Sequence, residues 1–291
     1  MRPLVTSSGW AREWHDGGVS ENVTDQHQPV HPWTRYVALG DSFTEGIGDP
    51  EPAAEGGHRG WADRLAEELG RTAGDFAYAN LAIRGRLLDQ IIAEQVDPAL
   101  ELKPDLVTIS AGGNDIIRRA DPDAVAARLD GAIGRLADSG ATVLLFTGPD
   151  IRDTPVLGAI RGRVAIFNEN LHTVAKRHDA VIADMWSLRE LLEPQMWAPD
   201  RLHFSPLGHH RIAMMALDAL NVPHDLHPMQ ASPLPSRTWR QARSEDLVWA
   251  REYLAPWVLR RIRRVSSSDH VSAKRPVPGP VFGPGMPPGA E

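Results

Sequence analysis

The chain has 291 residues, 42% of them hydrophobic, a formal net charge of −7 and no cysteine. That length and apolar content suit one large α/β domain, and the lack of cysteine excludes disulfides, thiolate metal sites and a thiol nucleophile together. The acidic balance argues against nucleic acid as a partner, because neutralising phosphates takes a basic face.

Met1-Arg2-Pro3-Leu4 leads into polar sequence with no apolar core, so neither a secretory signal nor a membrane span is expected, and the chain is read as cytoplasmic. Residues 1–33 scatter Trp10, Trp14 and Trp33 among polar residues, without helical or alternating pattern, and read as a mobile arm. Tyr36, Val37, Ala38 and Leu39 then form a short buried strand stopped by Gly40. Asp41 and Ser42 favour turns and helix N-caps, which sets Ser42 where a strand hands over to a helix. A hydroxyl there is exposed and rigidly held.

Residues 47–59, rich in Pro, Gly and Glu, read as a surface loop near Ser42. Trp61, Leu65 and Leu69 recur every four residues, the stripe of an amphipathic helix closed by Gly70. Phe76 to Leu81 reads as a second strand ending in the turn Ile83-Arg84-Gly85-Arg86. Leu87, Leu88, Ile91 and Ile92 predict a helix that Pro98 stops or closely follows. Leu106 to Ser110 is a third strand, broken abruptly by Gly112-Gly113 before Asn114-Asp115.

Val125, Leu129, Ile133 and Leu136 share one helical face up to Gly140, and Ala141 to Thr147 is a fourth strand. Val164 to His178 repeats the helical pattern, and Ala180 to Ala183 supplies a fifth strand. Strands apolar on both faces alternating with helices mark a parallel sheet covered on each side. Ligands gather at the carboxyl ends of such strands. Here those ends carry Asp41-Ser42, residues 80–85, Gly112 to Asp115 and Gly148-Pro149-Asp150, all on one rim.

A short helix is expected over Leu188 to Met196, and a last domain helix over His209 to Leu220, with His203 in the loop before it. Residues 223–235 hold prolines 223, 228, 233 and 235 and read as a linker. Residues 236–264 carry eight arginines against three acidic residues, a basic extension. Pro256 predicts two helices there meeting near Ala255. Trp249, Leu254, Trp257, Val258 and Ile262, with the Arg260 to Arg264 cluster, would strap onto the domain or lie weakly on an anionic membrane surface. Residues 265–291, rich in Ser, Pro and Gly, read as a disordered tail.

A serine hydroxyl becomes nucleophilic only when a base takes its proton, and histidine is the side chain matched to that task near neutrality. Among 12 histidines, His203 stands out because Asp200 precedes it by three residues, close enough to hold the imidazole tautomer whose Nε2 accepts a proton. The same Asp would serve as a helix cap. A metal reading of His203, His209 and His210 lacks both the HExxH spacing and a carboxylate partner, and adjacent histidines point to different helix faces. Donors for a developing oxyanion are the backbone N–H of Ser42, the backbone N–H of Gly85 and the side-chain amide of Asn114.

Gly40-Asp41-Ser42, Gly85, Gly112-Gly113-Asn114-Asp115 and Asp200-Arg201-Leu202-His203 together resemble, in order, four sequence blocks of the SGNH hydrolases, also called GDSL lipases and esterases. Phe43 stands where the name-giving motif has leucine, and Gly85 is matched mainly by position. The resemblance covers residues 34–222. It implies a flavodoxin-like three-layer α/β/α sandwich with a central parallel sheet of about five strands, plus the C-terminal helical extension. It also implies hydrolysis of carboxylic esters or thioesters through an acyl-enzyme, with Ser42 as nucleophile, His203 as general base, Asp200 orienting it, and Ser42, Gly85 and Asn114 forming the oxyanion hole. The implied substrate is a small-molecule ester, with no metal and no organic cofactor. A non-catalytic module binding a sugar or phosphate on the same rim is the alternative.

Overall fold

The computed structural model of the protein describes residues 30–73, 75–231, 233, 238–256, 259 and 271–282. Six strands form one sheet: β1 (Arg35–Gly40), β2 (Ala77–Asn80), β3 (Leu106–Ser110), β4 (Thr142–Phe146), β5 (Val181–Ala183) and β6 (Arg275–Pro280). Their order is β5-β4-β3-β1-β2-β6. The first five are parallel, in the flavodoxin-like order that reverses direction between β1 and β3. Leu39 and Ile109 lie side by side across that reversal, so the turns after β1 and β3 open into one crevice.

Strand pleating divides the core. Val37 and Leu39 of β1 pack with the cluster containing Leu129, Ile133 and Phe167, whereas Tyr36 and Ala38 pack with Trp61, Leu65 and Ile212. The helices between are α1 (Ser42–Glu45), α2 (Trp61–Thr72), α3 (Leu88–Ile91), α4 (Asp97–Glu101), α5 (Gly113–Ile117), α6 (Pro122–Asp138), α7 (Arg161–His178), α8 (Pro206–Ala219) and α9 (Trp239–Trp249). Among the described residues no helix is long and apolar enough to cross a membrane.

Several expectations need correction. Gly70 does not close α2, which runs on to Thr72; the glycine instead lies beneath Val281 and Phe282. Pro98 does not stop its helix either. A π-turn at Ile92–Val96 joins α3 to α4, and widening the turn makes room for the pyrrolidine ring. The same device recurs at Ala250–Leu254, so the chain stays helical through Pro256 rather than breaking near Ala255. Over Leu188 to Met196, Pro194 separates two 3-10 turns, Arg189–Leu192 and Pro194–Met196, in place of one helix.

The ends of the chain differ most. The arm expected over 1–33 reaches the core by its last residues: His31 Nε2 lies 2.9 Å from Leu69 O, and the Trp33 indole donates to Thr142 Oγ1 at 3.0 Å. Residues 1–29 lie outside the described residues. Part of the tail expected to be disordered is the sixth strand, antiparallel to β2. Its three prolines fit only an edge strand, where one side of the ladder stays unpaired. The Arg260 to Arg264 cluster, Trp257, Val258 and Ile262 lie outside the described residues.

Candidate active site

Gly40 ends β1 at φ +150, where a side chain would collide with Thr44 Oγ1 at 2.5 Å and Ser110 O at 2.7 Å. The turn can therefore fold tightly only with glycine. Asp41 caps α1 by accepting the Phe43 N–H at 3.1 Å, and Ser42 becomes its first residue. Phe43 packs among Trp61, Phe146, Phe204 and His209 and also lines the cavity. The larger ring at the usual leucine position thus fills a socket behind the serine.

The loop before α8 approaches from the opposite side. A bridge between Trp197 and Phe204 and the Ala198 N–H bond to His203 O at 2.8 Å pinch its ends together. Within it Asp200 Oδ1 accepts the N–H groups of Leu202 and His203, both at 3.0 Å. Asp200 Oδ2 lies 2.6 Å from His203 Nδ1, and His203 Nε2 lies 2.9 Å from Ser42 Oγ. Burial raises the Asp200 pKa, but the hydrogen bonds and charge of His203 outweigh it and hold the carboxyl below its ordinary value. An ionised Asp200 accepts a hydrogen bond from Nδ1–H and so fixes the proton on Nδ1, leaving the Nε2 lone pair to accept from the serine hydroxyl.

Asn114 enters from α5 through Gly112, whose φ is +92 and whose Cβ would strike Phe167 and Val125 within 3 Å. Its amide Nδ2 donates to Asp41 Oδ2 at 2.8 Å and to Arg86 O at 3.0 Å. Gly85, at φ +77, lines the same cavity. Among the described residues no acceptor takes the N–H of Ser42 or of Gly85. All five residues singled out in the sequence therefore border one cavity of about 640 Å³.

The reading from sequence missed the supports. Gln95 clamps the peptide groups of Gly40, its Oε1 accepting the Gly40 N–H at 2.8 Å and its Nε2 donating to Gly40 O at 2.9 Å. Glu45, 4% exposed, accepts the Arg84 N–H at 2.7 Å and the Arg84 guanidinium at 2.9 Å, which fixes the turn carrying Gly85. Burial pushes the Asp41 pKa up to about 6. His209 is fully buried and neutral, since burial drives its pKa down to about 3. Its Nδ1 accepts the Trp61 N–H and its Nε2 donates to Ile47 O, so neither nitrogen is left for a metal.

Residues 38–211 match the model of the GDSL-like lipase/acylhydrolase family. An arylesterase of Vibrio mimicus is 24% identical over 172 residues, which span 59% of this chain and 80% of the relative. LAE5, an alpha/beta hydrolase enzyme from the metagenome of Lake Arreo, Spain, superposes with a TM-score of 0.56 at 25% identity, covering 65% of this chain and 95% of its own. Axe2, an acetylxylan esterase from Geobacillus stearothermophilus, shares the fold with a TM-score of 0.54 at 19% identity, covering 66% of this chain and 96% of its own.

Proposed function

The chain belongs to the GDSL-like lipase/acylhydrolase family and is an ester-hydrolysing enzyme, and from that premise we propose that Ser42, His203 and Asp200 carry the reaction through an acyl-enzyme. The observation that carries this reading is the unbroken line from the Ser42 hydroxyl through the imidazole to the Asp200 carboxylate, at 2.9 and 2.6 Å. A site that merely binds ligand has no need of it.

In this mechanism His203 Nε2 takes the Ser42 proton as Oγ bonds to the ester carbon, and the carbonyl π electrons move onto oxygen. The Ser42 and Gly85 N–H groups and the Asn114 amide donate to that oxyanion, the kind of term that dominates acyl-transfer catalysis. Collapse breaks the bond to the alcohol oxygen, which takes the proton from His203. Water then adds to the acyl-enzyme, giving its proton to His203. A second collapse frees the acid and returns the proton to Ser42.

Hydrolysis of a short-chain p-nitrophenyl ester tests the assignment. Ser42→Ala and His203→Ala are each expected to lower kcat by on the order of 10⁴-fold or more with the fold intact by circular dichroism. Asn114→Ala, as loss of one oxyanion donor, should lower it by on the order of 100-fold. Unchanged turnover in Ser42→Ala would remove the reading.

A further inference from the structure

The family match stops at residue 211, yet the cavity above Ser42 does not. Trp249, Glu252, Tyr253 and Leu254, from α9 and the π-turn that continues it, supply part of its lining. A π-turn takes more residues per revolution than an α-helix, so it brings positions 249, 253 and 254 onto one side. That side faces the cavity.

Three contacts place this wall relative to the chemistry. The Trp249 indole N–H donates to Asp200 O at 3.0 Å, and the Arg201 guanidinium lies over the Trp249 ring at 4.9 Å while pairing with Asp246 of the same helix at 2.7 Å. The helix is thus pinned to the loop that carries His203. In the mechanism proposed above, on which this inference rests, His203 must protonate the departing alcohol oxygen, so the alcohol part of the ester occupies the His203 side. The acyl part points away from it, into a cavity whose lining also includes the apolar Ile116, Ile160, Val164 and Phe167.

We propose that Trp249 and Tyr253 select the alcohol part of the substrate, and that they favour a bulky aromatic alcohol. Two aromatic rings offer a stacking surface for a planar group. Glu252 on the same turn also lines the cavity, whose charged lining is mixed, with Arg84, Arg118 and Arg201 alongside it. The rings belong to a segment outside the family match.

Benzyl acetate and ethyl acetate test it with the full-length enzyme, because the acyl group is constant and both leaving groups are primary alkoxides. The quantity read is the quotient of the two kcat/KM values, in which a general loss of activity divides out. Trp249→Ala should lower the benzyl-to-ethyl quotient by about tenfold, the worth of one aromatic contact and the apolar area it covers. Tyr253→Ala should lower it in the same direction. Trp249→Phe keeps a ring but loses the N–H to Asp200, and it should retain most of the quotient.

An unchanged quotient in both alanine variants would overturn the proposal. So would a Trp249→Phe as impaired as Trp249→Ala, since the indole would then act only by holding the Asp200 loop. A shift confined to the quotient of ethyl hexanoate over ethyl acetate would place the helix on the acyl side and overturn it too. Failure of the underlying mechanism has a separate signature: Ser42→Ala would go on hydrolysing all three esters.

Discussion

Lys274 is the point at which the C-terminal segment meets the nucleophile turn. Its side chain is 3% exposed, and its ammonium donates all three protons, to Glu45 O at 2.7 Å, His58 O at 3.1 Å and Asp63 Oδ2 at 2.6 Å. Gly56, at φ +73, makes the approach possible, because a Cβ there would sit 2.8 Å from that of Lys274. Replacing the lysine with methionine keeps the stem and removes the charge. Breaking a buried ion pair by deleting one partner costs about 3–5 kcal/mol. The lower end applies, since Asp63 retains the Gly60 N–H at 2.8 Å and the Tyr78 hydroxyl at 3.2 Å. For a chain of this size about 3 kcal/mol lowers Tm by roughly 6–12 °C. Thermal unfolding followed by circular dichroism reads the change directly. A Lys274→Met melting within about 2 °C of the parent would refute both the magnitude and the claim that this tail is part of the domain.

Two further substitutions probe the turn itself. Gln95→Leu keeps the volume of a residue that is 1% exposed but removes the acceptor of the Gly40 N–H, costing about 1–3 kcal/mol, while Gly40 O keeps the Ile83 N–H at 3.3 Å; the urea midpoint should fall with the m-value unchanged, and an unaltered midpoint would show that water or a shifted chain replaces the clamp. Asp41 has a folded pKa of about 6 against an ordinary 3.8, because burial disfavours its charge. The folded state therefore binds the proton more tightly, so the stability Asp41 contributes is full below about pH 4 and fades as the pH climbs through 6. Asp41→Asn should flatten the decline in urea midpoint between pH 4 and 6 relative to the parent, and parallel profiles would contradict this.

What the sequence made legible is what local chemistry writes locally. The strand stopped by Gly40, the stripe of Trp61, Leu65 and Leu69, and the three-residue step from Asp200 to His203 each carry their pattern within a few positions. The parallel sheet covered on both faces followed from the alternation of apolar strands with amphipathic helices, and its flavodoxin-like form from the family resemblance. Misreadings came where a rule about one residue met tertiary compensation. Pro98 and Pro256 read as stops, yet a π-turn before each absorbs the ring. Arg275–Pro280 reads as disorder by composition, and it becomes a strand only because β2 offers an edge and Lys274 an anchor. Nothing near Gln95, Glu45 or Trp249 in sequence points to Gly40, Arg84 or Asp200, so no periodicity could have found them.

The resting geometry of Asn114 bears on how the proposed oxyanion hole opens. Both protons of its amide are already engaged, one by Asp41 and one by the carbonyl of Arg86. A substrate oxygen must displace one of these acceptors. Above about pH 6, where Asp41 is ionised, its bond is charge-assisted and roughly twice as strong as one to a neutral carbonyl, so in the proposed mechanism the Arg86 carbonyl is the acceptor that yields. Asp41 then keeps hold of one proton and sets the plane of the amide while the other turns to the substrate. On this account the aspartate next to the nucleophile aims the oxyanion donor across the crevice, and its burial above Gly40 is the reason the aim is fixed before substrate arrives.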